Sequence, residues 1–277
     1  FSTTEETFED RCDRIDLSSL PKTFQDAVIV TRSLGLRFLW IDSLCIIQDN
    51  DQDWQRESAM MEMIYSSAYC TLAATSAKNC AEGFLQSTET GTSIILDSSG
   101  DGAALSLVKE DYDRDVENGR LNKRAWVLQE RALSRRVLHF SSSHTYFECG
   151  QGIRCETGAN IERVWDAVAS SDFPRSESNE TEMRELALLK NTYTRFSTLD
   201  IKYATDRSVA ILGLESRLAL FYNSPSAYGV LSRSDMFSQT LLWQRMGTSR
   251  MQPIGDPTSA KLPSWSWMAF TGPISYL

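Results

Sequence analysis

The sequence predicts an α/β fold built on a parallel sheet, and three observations carry that expectation. Helix-type and strand-type segments alternate between residues 20 and 75. The run Arg37-Phe38-Leu39-Trp40-Ile41 has strand length but no polar alternation, which fits a strand buried on both faces. Helix, strand, helix and strand within about 55 residues is the spacing of parallel strands joined by helices. The chain has 277 residues, 42% of them hydrophobic. That suffices for one large domain, or one domain with an appendage.

Residues 1–20 are polar and acidic and read as a loop or arm. Pro21 opens a helix in which Phe24, Ala27, Val28 and Leu34 recur near helical spacing, and Gly35 stops it. The strand Arg37 to Ile41 follows and ends at Asp42-Ser43. Asp49 to Asp53 is a turn, with Asp53 placed to cap a second helix running to Ala68. One stripe of that helix carries Trp54, Ser58, Met61, Tyr65 and Ala68, while Gln55, Arg56, Ala59, Glu62 and Ser66 face away. Cys70 to Ala74 is a second strand.

Beyond it the pattern shifts to hairpins. Ile94 to Leu96 and Ala103 to Val108 flank a Ser/Gly/Asp turn, and Val137 to Phe140 and Thr145 to Cys149 flank a serine-rich one. Between them Arg124 to Ser134 reads as a short helix. Residues 156–180 read as a long loop. Helices are expected over 182–197, 206–222 and 234–246, and Pro263 to Met268 as a closing strand whose Trp265 and Trp267 face one way into the core. The expected organisation is a core over 1–155 and a mostly helical extension over 156–277.

Bulk properties exclude several classes. A net charge of -9 gives no general attraction to nucleic acid or anionic membrane. No apolar run approaches the roughly 18 residues of a membrane span, and no signal-peptide pattern opens the chain. With Phe at position 1, the sequence reads as part of a longer chain. The six cysteines lack the spacing of a disulfide framework, which points to a reducing, cytoplasmic setting. No Cys-x-x-Cys pair exists for zinc, and no Gly-x-Gly-x-x-Gly or Walker loop for a nucleotide. Neither a metal nor a bound cofactor is expected.

Certain residues are placed to do chemistry. Asp42 and Ser43 end the strand, where α/β sheets bind ligands, and serve there either as ligand contacts or as a turn and cap. Glu57 lies on the inner edge of the second helix, four residues before Met61. A carboxylate so placed is partly desolvated, and is either a functional acid or one arm of a salt bridge to Arg131 or Arg136. Trp126, Gln129, Glu130 and Arg131 form a polar-aromatic group that either lines a cleft or braces the sheet against the hairpins. Cys45 has only His139 and His144 as available bases and reads as a buried, inert thiol.

Three ordered blocks carry a family resemblance. The first is Leu20-Pro21-Lys22-Thr23-Phe24-Gln25-Asp26-Ala27, continuing at Leu39-Trp40-Ile41-Asp42-Ser43-Leu44-Cys45-Ile46-Ile47-Gln48-Asp49. The second is Asp53-Trp54-Gln55-Arg56-Glu57-Ser58 with Met61, Ile64 and Tyr65. The third runs from Arg124-Ala125-Trp126-Val127-Leu128-Gln129-Glu130-Arg131 to Val137-Leu138, closing at Phe147-Glu148-Cys149. Together they resemble the fungal heterokaryon incompatibility (HET) domain. The family usually opens with a strand ahead of the Leu-Pro block, and none precedes Leu20 here, so the resemblance implies a first strand outside this sequence. HET domains are in turn likened to TIR domains, flavodoxin-like α/β folds with helices on both faces of a parallel sheet.

The resemblance implies a cytoplasmic cell-death effector that hydrolyses NAD to nicotinamide and ADP-ribose. Glu57 is then the catalytic carboxylate, and Asp42, Ser43, Trp54, Trp126, Gln129, Glu130 and Arg131 contact the substrate. NAD is a substrate in this reading, and the expected partners are a second copy of the chain or another protein of the incompatibility system. Two alternatives stand beside it: a non-enzymatic oligomerising signalling module, and a HET-like protein repurposed as a biosynthetic enzyme.

Overall fold

Periodicity and capping define the helices of the N-terminal half. In the computed structural model, which describes residues 1–86, 92–95, 104–107, 110–161, 182–248, 250–255 and 262–277, the polar opening holds a short helix α1 (Phe8–Asp13), where the sequence suggested an arm. α2 (Lys22–Ser33) starts directly after Pro21 and turns Asp26, Ala27 and Thr31 inward. Gly35 ends it at φ +71, a left-handed position that glycine adopts without penalty. α4 (Asp51–Ser67) is capped by Asn50, whose side chain accepts from the Asp53 N–H, so the cap lies three residues before the expected one.

The expected strand Arg37 to Ile41 is not in a sheet. Among the described residues, the backbone N–H groups of Arg37 through Ile41 donate to no partner, and Phe38 is 84% exposed. The run ends in α3 (Asp42–Cys45), a single turn with Ile41 extended at its N-cap. Its sequence has strand character, but a strand exists only through a neighbour that takes its hydrogen bonds. No described segment fills that place.

β1 (Thr71–Ala73) lies at the edge of a five-stranded sheet in the order β1-β4-β5-β6-β7, where β4 is Arg136–Phe140, β5 Thr145–Cys149, β6 Gly152–Cys155 and β7 Asn160–Ile161. Only the β1–β4 pair is parallel, with Leu72 opposite Leu138. The other pairs are antiparallel, because turns of a few residues join β4 to β7 and cannot cross over. The sheet is therefore mixed, which corrects the all-parallel expectation. β2 (Thr92–Ile95) and β3 (Ala104–Leu107) form the first expected hairpin as a separate ribbon.

An apolar cavity of about 730 Å³ separates the free edge of β1 from the extended run Arg37–Ile41. Phe24 and Ala27 of α2, Ile64 and Tyr65 of α4, and Phe84 complete its walls.

The main core lies further along the chain. α5 (Ala125–Leu133), α6 (Glu182–Thr198) and α7 (Leu212–Phe221) contribute Leu128, Leu189, Tyr193, Phe196, Leu214 and Leu218, all sealed from solvent around Trp267 and Met268. β8 (Ser226–Ala227) and β9 (Val230–Leu231) form a tight ribbon. After α8 (Ser234–Leu241), β10 (Trp243–Arg245) pairs with β11 (Ile274–Tyr276). The expected closing strand over 263–268 is instead a turn into a 3-10 helix, Trp267–Ala269, with the Ser266 hydroxyl accepting from the Met268 N–H. Rotation at that turn puts Trp267 in the core and leaves Trp265 44% exposed, so the two indoles do not share a face. Most of the loop expected over 156–180 lies outside the described residues.

Candidate functional site

A second cavity, of about 350 Å³, opens between β1, the start of β4, α5 and the turn leading into α5. Asp42 lines both this cavity and the apolar one. α5 is held by its N-terminal end: the Ala125 N–H donates to the Asp200 carbonyl at 2.9 Å, and the Asp200 N–H to Lys123 at 2.7 Å. Ala125, Leu128, Ala132 and Leu133 bury one side of the helix. Glu130 lies on the side that borders the cavity.

Glu130 is an unsettled carboxyl. Burial pushes it up, and the charge of Asp42 pushes the same way, to about 7. Arg124 and the Tyr65 hydroxyl act in the opposite sense without cancelling those two effects. Asp42 itself is exposed, the first residue of α3, with one carboxylate oxygen accepting from the Ser43 N–H at 2.7 Å. The rim adds three cations, Lys78, Arg120 and Arg124. A carboxyl raised in this way next to a second carboxylate, beside cations and inside a cavity, is an ingredient of acid–base work on an anionic substrate.

Arg131 and His139, which also line this cavity, belong to a buried ionic cluster. Arg131 donates to both oxygens of Glu148, at 2.9 and 3.1 Å, to Glu117 at 2.6 Å and to the Tyr112 hydroxyl at 2.8 Å. His139 Nε2 lies 2.9 Å from Glu148, and Arg195 meets Glu117 at 2.8 Å. Burial opposes ionisation of Glu148, but Arg131 and His139 overcome it and hold the carboxyl at about 2. Burial likewise pushes His139 down, further than Glu148 pulls it up, so the imidazole is neutral near pH 7.

The structure brings Asp42, Glu130 and Arg131 together and sets the other candidates apart. Glu57 is half-buried on α4 and pairs with Arg56 at 3.2 Å, rather than with Arg131 or Arg136. It lines neither cavity. Ser43 keeps a buried hydroxyl without a partner. Trp54 and Trp126 meet edge to face at 6.4 Å and join α4 to α5. The Gln129 side-chain carbonyl accepts from the Gly213 N–H at 2.7 Å and fixes the start of α7. Glycine is required there, since a Cβ would stand 3.0 Å from that oxygen and 2.9 Å from Glu62. Cys45 is exposed, not buried as expected, because α3 is a surface turn and not the continuation of a buried strand. Partial desolvation of its thiol by the surrounding chain, with the charges of Asp42 and Glu57, pushes its pKa up, away from nucleophilic use.

Sequence reasoning missed His139 as a cavity residue and passed over Lys78, Arg120 and Arg124. Arg124 opens the third conserved-looking block, and that was the one available signal. Among the described residues, no group of three His, Cys, Asp or Glu side chains is placed to hold a metal. Among them, no helix is long and apolar enough to cross a membrane.

The fold and cavity thus define a mixed α/β domain with paired carboxylates at a polar cleft. Residues 2–130 match the family model described as Heterokaryon incompatibility protein (HET), and this segment is a HET domain. No curated protein and no solved structure matches the chain. The match contains Asp42 and ends at Glu130. Arg131, Glu148 and the α6–α7 core lie beyond it.

Proposed function

We propose that the protein is a heterokaryon-incompatibility-type effector whose HET domain cleaves the N-glycosidic bond of a nucleotide such as NAD at the Asp42–Glu130 cavity. The observation that carries this reading is Glu130, raised to about 7 beside Asp42. Near neutrality such a carboxyl exchanges a proton readily. The Asp42 carboxylate faces the positive charge that builds on the ribosyl carbon as the C–N bond breaks. Nicotinamide departs with the bonding electron pair. Water then attacks the ribosyl carbon and gives its proton to Glu130. Lys78, Arg120 and Arg124 hold the diphosphate.

A second reading, a non-enzymatic module, draws on the free edge of β1, which is open to pairing with another chain.

The test is nicotinamide release from NAD by the full-length protein. Glu130→Gln abolishes release while the protein stays folded, and Glu57→Ala leaves it. Intact turnover in Glu130→Gln sinks this assignment. Loss of turnover in Glu57→Ala alone returns the role to Glu57. No turnover with any nucleotide leaves the interaction module.

A further inference from the structure

The Leu20–Ala27 block has no part in the reaction proposed above, although it leads into α2 and its Thr23 lines the 350 Å³ cavity. Its most deeply buried residue is Asp26, at 1% exposure. A carboxylate at that depth is costly unless it is paired and hydrogen-bonded. Its Oδ2 accepts from the Phe84 N–H at 2.8 Å and from the Leu85 N–H at 3.2 Å, and its Oδ1 pairs with Lys22 one turn back. Burial opposes its ionisation, but Lys22 and the two N–H donors overcome that and hold the carboxyl below its ordinary range. Asp26 is therefore an acceptor only, and it grips a stretch of chain 58 residues away.

That stretch walls the cavity. Ala77, Lys78, Asn79 and Cys80, in the loop 76–85 that follows β1, line the Asp42–Glu130 cavity. Three holds fix the loop. At its start the Ser76 N–H donates to the Phe140 carbonyl of β4 at 2.8 Å. In its middle the Cys80 carbonyl accepts from the Thr23 N–H at 3.0 Å, and the Asn79 carbonyl from the Thr23 hydroxyl at 3.3 Å. At its end Asp26 takes the Phe84 and Leu85 N–H groups. Gly83 permits that approach. Its φ is +75, and a Cβ there would stand 2.5 Å from Asp26 Oδ2 and 2.7 Å from Lys22 Cγ. Two of the three holds thus come from one short block of α2.

We infer that the Leu20–Ala27 block is a latch for the cavity wall, with Asp26 as a positioning residue that sets Lys78 for the anionic group of the ligand. A lysine is a point charge on a flexible stem, so its reach depends on where its backbone is held. The inference rests on the nucleotide reading, which gives Lys78 a phosphate to bind. It gives the first family block a task in binding, beyond the packing of α2.

The test is binding of inorganic pyrophosphate to the full-length protein, measured by calorimetry in a double-mutant cycle between Asp26 and Lys78. Lys78→Ala weakens binding by about tenfold, and Asp26→Ala, which frees the loop from α2, weakens it to a similar degree. The double variant binds no more weakly than either single one, because both changes act through the same ammonium. Asp26→Asn keeps an acceptor oxygen for the loop and stays within about threefold of wild type. Should Asp26→Ala fail to fold, Gly83→Ala takes its place in the cycle, since it presses on the same carboxylate from the loop side. Losses that add in the double variant overturn the latch, because they show Asp26 acting elsewhere. So does wild-type affinity in Asp26→Ala, and so does a wild-type protein that binds no pyrophosphate. Coupled losses in a protein that releases no nicotinamide refute the proposed reaction and leave the latch. Nicotinamide release with additive losses does the reverse.

Discussion

Glu130 and Arg131, neighbours on α5, belong to two carboxylate clusters with opposite fates. Arg131 anchors a cluster in which Glu148 and Glu117 are both held below their ordinary range, Glu148 at about 2. Glu130 faces Asp42 and is driven up to about 7. The first cluster matches every buried carboxylate with Arg or His, and such matching serves structure. The second leaves like charges together in a cleft, an arrangement that costs stability and is retained where chemistry needs it.

The largest expected effect comes from breaking the matched cluster. Arg131→Met takes the guanidinium from buried Glu148, leaves Glu117 to Arg195 alone, and costs about 3–5 kcal/mol, read as a fall in the urea midpoint. A loss under 1 kcal/mol would mean the cluster is more hydrated than its burial indicates.

Next comes the unmatched pair. Glu130→Gln lowers nicotinamide release by about 100-fold or more, and the comparison sharpens if stability is unchanged or higher. Asp42→Asn offers a cross-check on the coupling. Without its like charge, the pKa of Glu130 falls, and the acid limb of the pH–rate profile moves to lower pH.

The pH dependence of folding separates the clusters by sign. Glu148 is depressed in the fold, so its contribution is complete above its unfolded pKa near 4.5 and is lost as pH falls towards 2. Glu130 is raised, so its contribution is complete below about 4.5 and is lost as pH rises through 7. Wild type should therefore lose stability between pH 5 and 8 relative to Glu130→Gln, measured as the difference between urea midpoints. A constant difference across that window would show that Glu130 ionises normally.

The smallest effect is expected outside both clusters. Glu57→Ala, which removes only the pair to the exposed Arg56, should shift stability by no more than about 0.5 kcal/mol.

Much of the local structure was legible. α2, α4 and α5 followed from apolar spacing and from Pro21 and Gly35, and both hairpins followed from their turn residues. These signals act within a few residues. The failures share one cause, dependence on a distant partner. Arg37 to Ile41 has the composition of a strand, yet its state is set by whether another strand lies beside it. Trp265 and Trp267 alternate as in a strand, but the Ser266 cap turns the chain between them. Of the candidate site residues, Asp42 and Glu130 were named for separate reasons, and nothing in their 88-residue separation indicated that they meet.

By itself the sequence determined the family of residues 2–130, the α/β character and most helix boundaries, because block order, periodicity and capping are local properties. Only the tertiary structure decided that the sheet is mixed and that the slot beside β1 stands open. It also decided that Glu130 faces Asp42 while its neighbour Arg131 turns to Glu148. Charges respond to whatever the fold places around them, across any distance in the chain, so protonation at this site is a property of the fold.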